Sequence, residues 1–175
     1  MTASGLPSRI YLVGFMGSGK TRIGHLLADA LGHGFLDVDA LVQEDVGMSI
    51  REIFEQEGEA WFRARETHWL RRTDEWDDVV VATGGGAMVS EANRRLLQER
   101  GATVWLNVPF DVIVERMGAA GHAQRPLLDD EKRARQLYSE RLPAYRRADM
   151  EVPVQQNEEA SQVAARILDL IHSGT

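Results

Sequence analysis

The sequence predicts an α/β fold in three layers, a parallel sheet covered by helices on both faces. Two observations carry that expectation. Short apolar runs alternate with helical patterns along the chain, and this alternation needs crossover connections and a sheet buried on both sides. In addition, Gly14-Phe15-Met16-Gly17-Ser18-Gly19-Lys20-Thr21 fits G-x-x-x-x-G-K-[ST] at every fixed position. It stands between the apolar run Ile10–Val13 and a segment in which Ile23, Leu26, Leu27, Ala30 and Leu31 recur at helical spacing. Strand, glycine loop and helix form the context in which this motif binds phosphate. The glycines let backbone N–H groups turn inward, and the helix points its positive end at the same anion.

The elements follow in order. The first strand covers about Ile10–Val13 and the first helix Lys20–Leu31. Gly34-Phe35-Leu36-Asp37 leads into a second strand. Ser49-Ile50-Arg51-Glu52 is a capping box that starts a helix through about Gln56. Another helix is expected from Glu59 to about Glu75. Val79–Thr83 is an unbroken apolar run ending in Gly84-Gly85-Gly86, so it reads as a central strand. Ser90 caps a helix to about Arg100, with Gly101 as its stop. Thr103–Val108 is the fourth strand, and Pro109 begins a helix to about Met117. Gly118-Ala119-Ala120-Gly121 is expected to open a flexible segment. A long helix is expected from Asp130 to Asp149, bent by Pro143. A fifth strand near Glu151–Val154 precedes a closing helix over about Glu159–Ile171. No repeat or linker divides the chain.

Bulk properties narrow the classes of function. The chain has 175 residues, 43% hydrophobic and 27% charged, which suits one globular domain with a sizeable core. Its net charge of −7 argues against nucleic acid as a main partner, because phosphate backbones attract basic surfaces. With no cysteine, disulfides, thiolate metal sites and cysteine nucleophiles are excluded. No apolar run approaches the ~20 residues of a membrane helix. Met1–Ser8 lacks the charged start and apolar middle of a signal peptide, so a cytoplasmic location is expected. His25, His33, His68 and His172 have no metal-ligand spacing, and Trp61, Trp69, Trp76 and Trp105 read as packing residues.

Three clusters point to phosphoryl transfer. In the glycine loop, Lys20 offers a cation for the outer phosphates of a nucleotide, and the Thr21 hydroxyl is a ligand for Mg²⁺. Asp37-Val38-Asp39 follows the second strand. If the segment is extended, alternation puts both carboxylates on one side, one for Mg²⁺ and one for a substrate hydroxyl. Gly84-Gly85-Gly86 exceeds what a turn requires and permits close approach of a ligand to backbone at the sheet's carboxyl edge.

With these motifs in place, the chain resembles the shikimate kinases from about Ile10 to Leu170. In order, the matching motifs are Gly14–Thr21; Asp37-x-Asp39; Ile53-Phe54 with Gly58-Glu59; Phe62-Arg63-x-x-Glu66; Gly84-Gly85-Gly86; Arg125-Pro126-Leu127-Leu128; and Glu140-Arg141-x-Pro143-x-Tyr145. The resemblance implies a P-loop kinase fold like that of the nucleoside monophosphate kinases: a five-stranded parallel sheet flanked by helices, with substrate-binding and lid subdomains. Applied to this chain, it implies a single domain over 1–175 with a substrate-binding insert at about 38–75 and a lid at about 117–128. It further implies transfer of the ATP γ-phosphoryl group to the 3-hydroxyl of shikimate, a step toward chorismate and the aromatic amino acids. Gly17, Ser18, Gly19, Lys20, Thr21, Arg116 and Arg125 would bind ATP, with Arg116 against the adenine beside a loop near Val154–Asn157. Thr21 and, through water, Asp37 would hold Mg²⁺. Asp39, Arg63, Gly84, Gly85, Gly86 and Arg141 would bind shikimate. Of these, Arg63 and Arg141 grip the carboxylate, since planar guanidinium forks bond two oxygens at once. Glu66, three residues beyond Arg63 on the same helix face, would orient it. Phe54 and Phe62 would wall the pocket. Lys20, Asp39 and Arg125 would be catalytic, with Asp39 as hydrogen-bond acceptor and base for the reacting hydroxyl. Relatives carry more Arg and Lys in the lid than the Ala119, Ala120, His122, Ala123 and Gln124 found here. Weaker or more pH-sensitive closure is therefore expected, with His122 as the titrating group. A monomer with small-molecule partners is expected. The rival readings are another small-molecule P-loop kinase, such as one for gluconate, and a non-catalytic nucleotide-binding regulator.

Overall fold

The structure is a computed structural model that describes residues 6–122 and 130–173, with the side chains of 117–122 outside the description. Five strands form one parallel sheet: β1 (Arg9–Val13), β2 (Gly34–Asp37), β3 (Val79–Ala82), β4 (Ala102–Asn107) and β5 (Met150–Pro153). Their spatial order is β2-β3-β1-β4-β5, with Leu12 level with Ala82 on one side and Val104 on the other. β1 is therefore central, and the chain crosses from one half of the sheet to the other beside its carboxyl end. In open α/β sheets ligands bind at this switch point. Every residue of β3 and four of the five in β1 are buried, which is why both read as continuous apolar runs.

Among the described residues, eight α-helices flank the sheet: α1 (Lys20–Leu31), α2 (Val38–Val46), α3 (Ile50–Gln56), α4 (Glu59–Arg72), α5 (Glu91–Arg100), α6 (Phe110–His122), α7 (Glu131–Tyr145) and α8 (Ala160–Ser173). Caps set their ends. The Ser49–Glu52 box is closed in both directions, with the Glu52 carboxylate accepting from the Ser49 amide at 2.8 Å. Ser90 caps α5, and its side chain accepts from the Asn93 amide. Gly101 ends α5 in an extended conformation. A side chain there would overlap the Arg9 carbonyl, so close approach to β1 is what demands glycine.

Four expectations change. The segment after β2 is helical, not extended. Asp37 is the N-cap of α2, accepting from the Ala40 amide at 3.2 Å, and Asp39 lies in the first turn. The helix begun at Phe110 does not stop at Met117 but continues through Gly118–Gly121 to His122. α7 ends at Tyr145 rather than Asp149, leaving Pro143 in its last turn. The helix from Glu59 gives way at Arg72 to a 3-10 turn over Thr73–Glu75.

The main core is built on the sheet, with Tyr11, Leu12, Phe15, Leu27, Val80, Leu106 and Ile113 each at most 1% exposed. A second, smaller apolar cluster joins Val42 of α2, Ile53 of α3 and Phe62 of α4, flanked by Phe54 and Trp61. The segment between β2 and β3 thus carries a core of its own beside the switch point.

Candidate active site

The glycine loop leaves β1 in conformations that suit glycine. Gly17 and Gly19 have φ of 76° and 92°, in the left-handed region. Gly19 has no side chain to cap α1, so the first-turn amides are left to an anion. The Ser18 amide donates to the Phe15 carbonyl at 3.2 Å, which closes the loop. Lys20 is 9% exposed, and its ammonium donates to the Gly14 and Phe15 carbonyls, both at 2.9 Å. The loop thereby holds its own cation under the phosphate position. The Thr21 hydroxyl donates to Asp37 Oδ2 at 2.7 Å. The two predicted metal-site oxygens are thus adjacent, although α2 places them by a route the extended reading missed.

The three glycines after β3 are the centre of the site, and their value lies in the missing side chains. Gly86 has φ −104°, and none of the three is among the positive-φ glycines. A Cβ on Gly84 would overlap Glu66 Oε1 and lie 2.8 Å from Asp39 Oδ1. One on Gly86 would lie 2.5–2.6 Å from the Arg63 guanidinium. One on Gly85 would sit 3.2 Å from the Met16 amide nitrogen, 3.5 Å from Arg141 Nη1 and 3.6 Å from the Gly14 carbonyl oxygen. The triple glycine therefore lets α2, α4, α7 and the phosphate loop meet around one strand end. Thr83 anchors that end, donating through both its amide and its hydroxyl to the Leu12 carbonyl.

Arg63 and Arg141 come to this point from helices far apart in the chain. Arg63 donates to Glu66 Oε2 at 2.9 Å and to Glu59 at 3.1 Å, and its guanidinium lies 5.1 Å from the Phe62 ring centre. Arg141 is 6% exposed, donates to the Gly85 carbonyl at 3.2 Å and lies 5.7 Å from the Phe15 ring centre. Phe54 packs on Phe62 with ring centres 5.1 Å apart. Glu66 is fully buried. Burial pushes its carboxyl above the usual range, the Arg63 guanidinium pulls it back, and the nearby Asp39 carboxylate adds to the upward push. By contrast, Arg65 and Arg72 form outward ion pairs with Asp45 and Glu75.

Arg116 meets the loop after β5, donating to the Gln155 and Gln156 carbonyls at 2.8 and 3.3 Å. That loop is the one expected to flank an adenine. Arg125 and the Arg125–Leu128 motif lie outside the described residues, as does the His122 side chain. The motifs contain Phe15 and Tyr145 but give them no role of their own: Phe15 lies beneath Arg141, and the Tyr145 hydroxyl also donates to the Gly85 carbonyl. The available signal was the spacing from Arg141 to Tyr145, which places both on one helix face.

Residues 16–172 match the family model described as shikimate kinase. The chain is similar to a shikimate kinase of Nostoc sp., with 40% identity over 94% of this chain and 91% of that protein. It is 43% identical to one from Synechococcus sp. over 92% of this chain and 83% of the relative. Its structure is similar to that of a shikimate kinase from Acinetobacter baumannii in complex with shikimate. The TM-score is 0.91 at 40% identity, covering 98% of this chain and 96% of that one.

Proposed function

The chain belongs to the shikimate kinase family, and on that premise we propose that it transfers the γ-phosphoryl group of ATP to the 3-hydroxyl of shikimate. The products are shikimate 3-phosphate and ADP, in the route to chorismate. One observation supports this reading above the rest. Two guanidinium groups from separate helices, Arg63 and Arg141, converge on a side-chain-free strand end that abuts the phosphate loop. A small ring carrying one carboxylate and several hydroxyls suits that arrangement. The arginines take the carboxylate, Gly84–Gly86 present backbone, and the Asp39 carboxylate accepts from the reacting hydroxyl.

Phosphoryl transfer asks mainly for positioning and for neutralisation of charge on the transferred group. The α1 amides and Lys20 bind the phosphates, and Arg116 with the 154–157 loop binds the adenine. Arg125, from the lid at 117–128, supplies a further cation and excludes water. Mg²⁺ fits the oxygen pair Thr21 and Asp37. Among the described residues there is no cluster of three His, Cys, Asp or Glu side chains, and a Mg²⁺ site built on one carboxylate, a hydroxyl, waters and nucleotide oxygens needs none. When bound, the ion neutralises phosphate charge. The range 38–75, with its own apolar cluster, serves as the substrate-binding part of one domain.

We place the enzyme in the cytoplasm as a monomer with small-molecule partners. No described helix is long and apolar enough to cross a membrane. Sedimentation checks the monomer. ADP release with shikimate against a panel of hydroxy acids that includes gluconate tests the activity. The expected outcome is turnover with shikimate alone; equal turnover of gluconate, or none of either, defeats the reading.

A further inference from the structure

The carbonyl oxygen of Gly85 accepts two hydrogen bonds, and both donors come from the end of α7. Arg141 Nη1 donates at 3.2 Å and the Tyr145 hydroxyl at 2.5 Å. Tyr145 is 1% exposed, and its ring stacks on Trp105 with centres 6.1 Å apart and planes inclined by 28°. The ring is thus held from one side and the hydroxyl from the other. Burial pushes the hydroxyl pKa up to about 12, with Arg141 opposing, so the group remains a donor throughout the neutral range. A Cβ on Gly85 would meet the Met16 amide nitrogen, Arg141 Nη1 and the Gly14 carbonyl oxygen at 3.2, 3.5 and 3.6 Å, so the guanidinium and the phosphate-loop backbone crowd the same side of this glycine.

From this arrangement we infer that Tyr145 is a positioning residue for the reaction: its hydroxyl holds the Gly85 carbonyl, and that carbonyl sets the orientation in which Arg141 meets the substrate carboxylate. A guanidinium has five donors in a rigid plane, so one bond to a fixed acceptor orients the other four. A carbonyl held by Arg141 alone turns with it, and the fork loses its reference. Tyr145 itself touches no substrate. The inference rests on the assignment of Arg141 to the carboxylate.

The test compares the wild type with Y145F, R141A and the double variant. Shikimate Kd is measured by calorimetry, kcat and both KM values by ADP release, and Tm by calorimetric melting. Tyr145→Phe keeps the ring against Trp105 and removes only the hydroxyl. The expected result is a rise in shikimate Kd and KM of about tenfold, the size of one hydrogen bond in a charged network. The ATP KM and kcat stay within about twofold, since nothing at the phosphate loop is lost. In the R141A background the Y145F effect should vanish, because the two act through one carbonyl. Unchanged shikimate affinity in Y145F, or an undiminished effect in the R141A background, overturns the inference. An R141A variant that binds shikimate like the wild type overturns the carboxylate assignment and this inference together. It is told apart by the single R141A measurement. Placing 4-aminophenylalanine at position 145 restores a donor without the hydroxyl. Near-wild-type KM supports the inference, and a KM raised as in Y145F overturns it, so a poorly folding Y145F does not stop the test.

Discussion

At the scale of single residues, the site depends on one buried carboxylate and the guanidinium that answers it. Glu66 is 0% exposed and Arg63 is 27% exposed at its side chain. Removing Arg63 leaves the carboxylate without its countercharge. R63A should therefore lose about 2 kcal/mol of stability, less than the 3–5 of a fully buried pair because Arg63 is part-solvated. It should also raise the shikimate KM by about 100-fold, as befits a lost charged fork, while the ATP KM stays near wild type. Melting curves and ADP-release kinetics check both. The Glu66 carboxyl is raised by burial, so its stabilising contribution is present below the unfolded carboxyl pKa and fades as pH rises through the folded one. E66Q cannot ionise. Wild-type stability relative to E66Q should thus fall from pH 4 toward pH 7, and a gap that widens in favour of wild type over that range contradicts the assignment. At Gly84 the constraint is steric. G84A would drive a methyl into Glu66 and Asp39, and the expected outcome is loss of measurable shikimate binding even where the protein still melts cooperatively.

At the scale of elements, the segment between β2 and β3 is built of helices with strong local signals around one small apolar cluster. α3 has seven residues, too few to be stable alone, and is held by its capping box and by Ile53. Hydrogen bonds from the Ser49 hydroxyl and amide hold the Glu52 carboxyl below its usual range. A depressed carboxyl stabilises above its unfolded pKa and loses that contribution as pH falls through the folded value. S49A should cost about 1 kcal/mol near pH 7, the ordinary worth of an N-cap. The difference from wild type should shrink as pH falls and Glu52 takes up its proton; denaturant melts at pH 7 and along a series into acid read this directly. Hydrogen exchange should show α3 opening more readily than β1 and β3, whose buried runs form the sheet centre.

At the scale of the whole molecule, the strand order puts the phosphate loop and the triple glycine side by side. β1 and β3 are neighbours in register, and both loops leave from their carboxyl ends. If the proposed site is right, ligands bound there would join α2, α4 and α7 to the sheet, so binding should stabilise the entire fold. Shikimate at 100 times its Kd should add about 2.7 kcal/mol. For a chain of this size that is a rise in Tm of roughly 5–10 °C. A shift produced equally by gluconate contradicts the proposed specificity.

What could be read from the chain alone was whatever local chemistry dictates. The glycine loop, the Ser49–Glu52 cap, the Ser90 cap and the five strands each rest on residues adjacent in sequence, so each was legible. α2 is less legible: Val38, Val42 and Val46 recur four residues apart, but Asp37-Val38-Asp39 at the end of a strand fits an extended segment equally well, and only packing against α4 selects the helix. The Gly118–Gly121 stretch, expected to open a flexible segment, instead continues α6, since helical hydrogen bonding tolerates glycine at a cost of about 1 kcal/mol each. The partners of the triple glycine were beyond reach of any local rule. Glu66, Asp39, Arg63, Arg141 and Tyr145 belong to three helices, and only packing on the sheet decides which of them lies against which glycine. Motif spacing could name the residues. Their arrangement follows from close packing across the fold, where a missing Cβ in one segment makes room for a carboxylate or a guanidinium from another.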